Sequence, residues 1–290
     1  MNSPHNSSPS SNLLGKVYLV GAGPGASDLI TVRGAKLLAQ ADIVFHDALV
    51  EPEMLALCPQ ATLVAVGKRC GKLSSAQQFI NKRLIDAAQK HKIIVRLKGG
   101  DPMLFGRADE EIQALKAAGI EVAVVPGITA ALAGAASIGQ SLTLRGVSRS
   151  VAFVTLAQGK DQTLEQPASH PIANPSADTL VYYMGRKDAA KIAQQLIQQG
   201  PHSNTTPVQI LEAVSTPRER LWVSTLEEMA QGKADNWFDS NSPALIMVGE
   251  ALRAAQTLEQ NLETVLETTS SKIDDGLQNS SVFTNSRRRA

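Results

Sequence analysis

Apolar and polar positions fall into short blocks of two kinds that take turns along the chain. Val17-Tyr18-Leu19-Val20 is an apolar run that stops at glycines, as a buried strand does. From Asp28 to Gln40 the apolar residues Leu29, Val32, Leu37 and Leu38 recur at helical spacing. The alternation continues with a strand at Ile43–Phe45, a short helix at Pro52–Leu57 and a strand at Leu63–Val66. Ser75 to Lys90 is amphipathic, with Phe79, Ile80, Leu84, Ile85 and Ala88 on one face. A strand at Ile93–Leu97, a helix at Asp109–Ala118 and a strand at Val122–Val125 close the series. Strand then helix, repeated, predicts a mostly parallel sheet covered on both faces.

The pattern changes near residue 150. Val151–Thr155, Thr179–Tyr183, Pro207–Leu211, Leu221–Ser224 and Ala244–Val248 are expected strands, with a helix at Ala189–Gln199 ending at Gly200. Gln158 to Asp178, rich in Pro, Ser and Asn, is expected to be a long loop. Two domains are therefore expected, at 13–149 and 150–254. A polar arm (1–12) and a polar tail (255–290) have little to bury and are expected to be disordered. The uncharged stretch Val122–Leu144 is broken at Pro126-Gly127. It predicts a strand, a tight loop and a helix of small residues rather than a membrane span.

Charge narrows the function. Of 290 residues, Lys plus Arg number 28 and Asp plus Glu 27, a net charge of +1 without the basic excess of a general nucleic-acid binder. Two cysteines, Cys58 and Cys70, cannot make a disulfide framework or a four-cysteine zinc site, and five scattered histidines show no metal spacing. No basic and apolar leader opens the chain, so a cytoplasmic protein with reduced thiols is expected.

The loops after the strands carry the candidate chemistry. Gly21-Ala22-Gly23-Pro24-Gly25-Ala26 fits the loose dinucleotide fingerprint, and Asp47 stands where a ribose-binding acid would. An NAD oxidoreductase is thus one reading. The glycines, however, are shared with Leu97-Lys98-Gly99-Gly100-Asp101-Pro102 and with Val125-Pro126-Gly127-Ile128-Thr129-Ala130. Three such loops at the carboxyl ends of strands in one sheet point to a ligand site on that edge.

Together these segments resemble the tetrapyrrole methylases. The first signature is matched by Val20–Gly25 with Asp28-Leu29-Ile30-Thr31. The second is matched by Gly67-Lys68-Arg69, by Arg96–Pro102 through Phe105-Gly106-Arg107, by Val125–Ala130, by Leu142-Thr143 and by Tyr183-Met184-Gly185. The resemblance runs from about Gly15 to about Leu252. It implies two α/β domains, an N-terminal mostly parallel sheet and a C-terminal mixed sheet, with ligand between them and a homodimer as the usual assembly. It implies S-adenosyl-L-methionine as methyl donor and S-adenosyl-L-homocysteine as product. It implies donor contacts at Pro24, Gly99, Gly100, Asp101, Leu104, Thr129, Ala130, Met184 and Val214, and an acid/base pair at Asp47 and Lys68.

The implied reaction is C-methylation of uroporphyrinogen III at C2 and C7 to precorrin-2, for sirohaem or cobalamin-type cofactors. The substrate is a polycarboxylate, which guanidinium groups bind well. Arg69, Arg96, Arg107, Arg145 and Arg149 lie near the loop ends and are the candidates. Three segments depart from the family pattern: His46-Asp47-Ala48, where relatives often have Tyr-Asp-Arg; Leu142–Arg145, where they often have Leu-Thr-His-Arg; and Thr155–Gln158, where they often have Thr-Gly-His after the strand. These departures bear on substrate placement more than on donor binding. A later precorrin methylase, and a regulator with weakened activity, are the other readings they leave open.

Overall fold

The structure is a computed structural model that describes residues 14–48, 50–66, 73–156 and 175–253. The expected arm, the expected tail and most of the expected loop at 158–178 lie outside the described residues.

Five parallel strands form the first sheet: β1 (Lys16–Gly21), β2 (Ile43–His46), β3 (Thr62–Ala65), β4 (Ile93–Lys98) and β5 (Val122–Val125), in the order β3-β2-β4-β1-β5. Strands buried on both faces need apolar residues at odd and even positions alike. Val17, Leu19, Phe45 and Ile94 point to one face and pack with Ile80 and Leu84 of α3 (Leu73–Ala88) and Leu115 of α4 (Ala108–Ala117). Val20, Val44, Val95 and Leu97 point to the other, against Leu38 of α1 (Val32–Gln40) and Met54 of α2 (Pro52–Leu55). Burying each such side chain contributes about 1.5–3 kcal/mol.

The helix expected over Asp28–Gln40 is interrupted. A single 3-10 turn at Ser27–Leu29 comes first, and α1 starts only at Val32. Thr31 takes an extended conformation and its hydroxyl accepts from the Gly34 N–H, so a cap residue breaks the periodicity.

The second sheet contains β6 (Val151–Thr155), β7 (Thr179–Tyr183), β8 (Pro207–Glu212), β9 (Arg220–Thr225) and β10 (Ala244–Gly249), in the order β6-β7-β10-β8-β9. Only β6 and β7 are parallel, so the sheet is mixed, as expected. One face packs on Ile192 and Leu196 of α6 (Ala189–Gln199) and on Met229 of α7 (Leu226–Ala230). The other face, with Val181, Leu211, Leu245 and Met247, packs on Ala131, Ala133 and Ala135 of α5 (Ala130–Ser137). The small-residue helix after the first sheet is thus the seat of the second sheet, and alanines let the two approach closely.

Candidate active site

All carboxyl ends of the parallel strands lie on one edge, and their loops lock together there. Gly23 and Gly100 exchange two backbone hydrogen bonds (3.2 and 2.7 Å), bridging the β1 and β4 loops. A Cβ at Gly127 would stand 2.2 Å from the Gly100 carbonyl oxygen and 2.8 Å from Gly21 Cα. The three glycine-bearing loops therefore touch backbone to backbone, which only glycine permits at those positions. Asp101 completes the clamp: Oδ2 accepts from Gly127 N–H and Oδ1 from Met103 N–H, both at 2.8 Å.

This arrangement speaks against the dinucleotide reading. In that motif the glycine loop runs straight into a helix whose N-terminus holds the pyrophosphate. Here α1 begins beyond Thr31, and the glycines of the first loop are occupied by neighbouring loops.

The second half of the chain closes over the same edge. Ala26 N–H donates to Ser215 Oγ (3.0 Å), and a Cβ at Gly25 would meet Thr216 Cγ2 at 2.6 Å and the Val214 carbonyl at 2.9 Å. From β7, the Tyr183 hydroxyl lies 2.5 Å from Thr129 Oγ1 and accepts from Ala131 N–H (3.2 Å), capping α5. Phe105 and Phe153 flank the Tyr183 ring, with centroids at 5.2 and 6.1 Å. Among the described residues, the non-glycine positions with positive φ are Phe105, Arg107, Met184, Ala213 and Ser215. All five sit in these loops. Such conformations cost of order 1–3 kcal/mol each and concentrate where a chain is shaped for a ligand.

The expected donor-contact positions consequently fall into one neighbourhood. Pro24 is in the first loop, Gly99, Gly100, Asp101 and Leu104 in the second, and Thr129 and Ala130 at the start of α5. Met184 follows Tyr183 and is 53% exposed, while Val214 stands against Gly25. The Val214 side chain is buried in the α5 cluster, so the residue can face a ligand only through its backbone. Both Asp101 oxygens already serve the loop clamp.

Asp47 lies on the same edge at the end of β2, its N–H directed to the Leu97 carbonyl (3.3 Å). Its Oδ1 accepts from Arg96 at 2.6 Å. Arg96 corrects an expectation. Rather than standing open for a substrate carboxylate, it is 2% exposed and points into the α3/α4 face. There its Nε donates to Glu111 (3.1 Å) and one terminal nitrogen to the Phe45 and Leu97 carbonyls. Glu111, fully buried, also accepts from Lys98 (3.1 Å) and Gln77 (3.2 Å). Burial works against the Arg96 charge, but Asp47 and Glu111 outweigh it and hold the guanidinium above its ordinary pKa. Burial, then repulsion from Arg96, draws the Lys98 ammonium below its ordinary value.

The other candidate guanidiniums are placed differently. Arg107 pairs with Glu110 (2.6 Å) at the start of α4. Arg145 is exposed on the turn inside the Leu144–Ser148 bridge, and Arg149 is exposed just before β6. Lys68 and Arg69 lie outside the described residues.

The sequence alone assigns no role to Lys98, Glu111, Tyr183 or Ser215. A signal existed for the first pair: Arg96 and Lys98, two apart on a strand, face the same way into an apolar layer, and buried cations demand a carboxylate. The hydroxyls of Tyr183 and Ser215 carried no comparable signal, because their partners are distant in sequence.

The profile of the Tetrapyrrole (Corrin/Porphyrin) Methylases matches residues 16–230. The chain belongs to that family. The chain is 42% identical over 258 residues to a siroheme synthase of Psychrobacter sp. (strain PRwf-1), covering 88% of this chain and 51% of the relative. It thus spans about half the length of the curated relatives it matches. A solved uroporphyrin-III C-methyl transferase from Thermus thermophilus, complexed with S-adenyl homocysteine, shares 38% identity at a TM-score of 0.67, covering 83% of this chain and all of that one. A cobalt precorrin-4 methyltransferase structure shares 28% at 0.63, covering 82% and 95%. Among the described residues no group of His, Cys, Asp or Glu could hold a metal, and no helix is long and apolar enough to cross a membrane.

Proposed function

We propose that this chain transfers methyl groups from S-adenosylmethionine to carbons C2 and C7 of uroporphyrinogen III, giving precorrin-2. The observation that carries the reading is the loop cluster itself: backbone-lined, strained at five non-glycine positions and closed by the second half of the chain. The likeness to a uroporphyrin-III C-methyl transferase solved with S-adenyl homocysteine supports the same reading.

The residues suit the donor. Gly99 and Gly100 have no side chain to bar a ligand from the backbone, Val214 offers only its backbone, and Met184 an exposed thioether side chain. When bound, the donor supplies an electrophilic methyl on sulfur, and transfer to carbon is an in-line displacement governed by positioning. The methylated ring system must then lose a proton. Asp47, 29% exposed and held at one oxygen by Arg96, is proposed to accept it, and Lys68 to donate a proton or stabilise charge. Arg69, Arg107, Arg145 and Arg149 are proposed to meet the substrate carboxylates. The departures at Ala48, Leu144 and Gln158 keep a later precorrin as the alternative acceptor, a reading favoured by the likeness to cobalt precorrin-4 methyltransferase.

A homodimer is part of the proposal. Leu132 of α5 and Phe153 of the edge strand β6 are exposed beside a groove of about 460 Å³ lined by Ala136, Leu142 and Val151, an apolar surface of the kind a second copy covers. The compartment proposed is the cytoplasm, in keeping with the buried free thiol of Cys58. Transfer of labelled methyl to uroporphyrinogen III tests the function. Asp47→Asn should slow it about 10²–10⁴-fold while S-adenosylhomocysteine still binds. A wild-type chain that binds S-adenosylhomocysteine but methylates no tetrapyrrole would overturn the proposal.

A further inference from the structure

We propose that Arg96 is a positioning residue for Asp47, and that Glu111 and Lys98 form the buried anchor through which it acts. The proposal rests on the reading of Asp47 as the proton acceptor.

The geometry is a chain of four alternating charges, Lys98–Glu111–Arg96–Asp47, which sums to neutral. Register places it. In the β2–β4 pairing Phe45 stands opposite Arg96, so Asp47 lies one step further on the same face, and Lys98 follows Arg96 on that face of β4. Glu111 comes down from α4 and takes both cations. Three of the four side chains are sealed, with Arg96 at 3%, Lys98 at 5% and Glu111 at 0% exposed, whereas Asp47 alone reaches the surface at 29%. A purely structural ion network has no need to end on a carboxylate at the ligand edge of a sheet.

Each nitrogen of the guanidinium has its own partner, so the planar fork cannot turn without breaking several bonds. It therefore fixes Asp47 Oδ1, while Oδ2 accepts no hydrogen bond among the described residues and stays available for a proton. A lysine at this position would keep the charge but, as a point donor, could not hold Asp47, Glu111 and two carbonyls at once.

A double-mutant cycle on the full chain tests this. Turnover of uroporphyrinogen III is measured for wild type, Asp47→Asn, Arg96→Met and the pair, with S-adenosylhomocysteine binding and thermal unfolding recorded for each. Arg96→Met is expected to lower kcat about 10²-fold, the scale of a small misplacement of a reacting group, with KM for the tetrapyrrole little changed. In the Asp47→Asn background it should cost nothing further, because residues acting as a unit are not additive. Arg96→Lys, which keeps the charge, carries the test if Arg96→Met does not fold, and should show the same loss in kcat and the same silence beside Asp47→Asn.

Losses that multiply in the double variant would overturn the proposal, since Arg96 would then act elsewhere. So would a lowered melting temperature with unchanged kcat, which marks a structural role alone. Wild-type turnover by Asp47→Asn would remove the premise instead, and is told apart because it appears in that single variant.

Discussion

Asp101→Asn separates two roles for one carboxylate. The side chain keeps its shape, but one oxygen becomes an NH2 group. Oδ1 and Oδ2 now accept from Met103 N–H and Gly127 N–H, each at 2.8 Å, and an amide can serve only one of them. The Met103 bond is exposed and counts for little. The Gly127 bond is partly buried and ties the β5 loop to the β4 loop. Turned either way, the amide sets its NH2 against one of the two N–H groups and meets the other with a neutral oxygen in place of a charged one, a loss of about 1.5–3 kcal/mol. For a chain of this size each kcal/mol moves the melting temperature by about 2–4 °C, so unfolding is expected about 3–12 °C lower. Affinity for S-adenosylhomocysteine should fall with it, because the loops that shape the site come apart. Thermal unfolding without ligand and titration calorimetry measure the two quantities. An unchanged melting temperature with lost binding would refute the clamp and make Asp101 a direct ligand only.

Gly127→Ala is expected to weaken S-adenosylhomocysteine binding strongly and to destabilise by about 1–3 kcal/mol or more, since its Cβ would stand 2.2 Å from the Gly100 carbonyl. Calorimetry should show Gly119→Ala, a left-handed position with open space around it, keeping wild-type binding despite about 1–2 kcal/mol of strain. Tyr183→Phe removes the hydroxyl shared by Thr129 and Ala131 and should cost about 1–3 kcal/mol in urea unfolding, with loosened donor binding. Burial pushes the Cys58 thiol up to about 11 from 9.0. Because the folded value is the raised one, the thiol's contribution to stability is full below pH about 9 and is lost as pH rises toward about 11. Urea midpoints across that range should show the gap between wild type and Cys58→Ala narrowing; a constant gap would contradict the assignment.

The parallel sheet was readable because both of its faces are buried: runs such as Ile93–Leu97 leave few alternatives to a covered strand. The loops were readable as a group because glycine is required where Gly21, Gly100 and Gly127 meet. Less visible were features that depend on single side chains. Thr31 ends a helical periodicity that looks continuous from Asp28 to Gln40. Thr225, with Glu228 three residues on, starts a helix too short for its apolar spacing to register. Arg96 showed its charge in the sequence but not its partners, and a strand arginine at a loop end reads as a ligand for carboxylates until Glu111 is seen beside it. The seating of the second sheet on α5 was likewise hidden, because an alanine-rich helix carries no strong facial pattern.

The central claim is the reaction, and its most direct test is the mass of the product. Purified protein would be incubated anaerobically with uroporphyrinogen III and methyl-labelled S-adenosylmethionine. A gain of two labelled methyl groups on the tetrapyrrole is the predicted result. No gain, from protein shown to bind S-adenosylhomocysteine, would contradict it and direct the search to later corrinoid acceptors or a regulatory role.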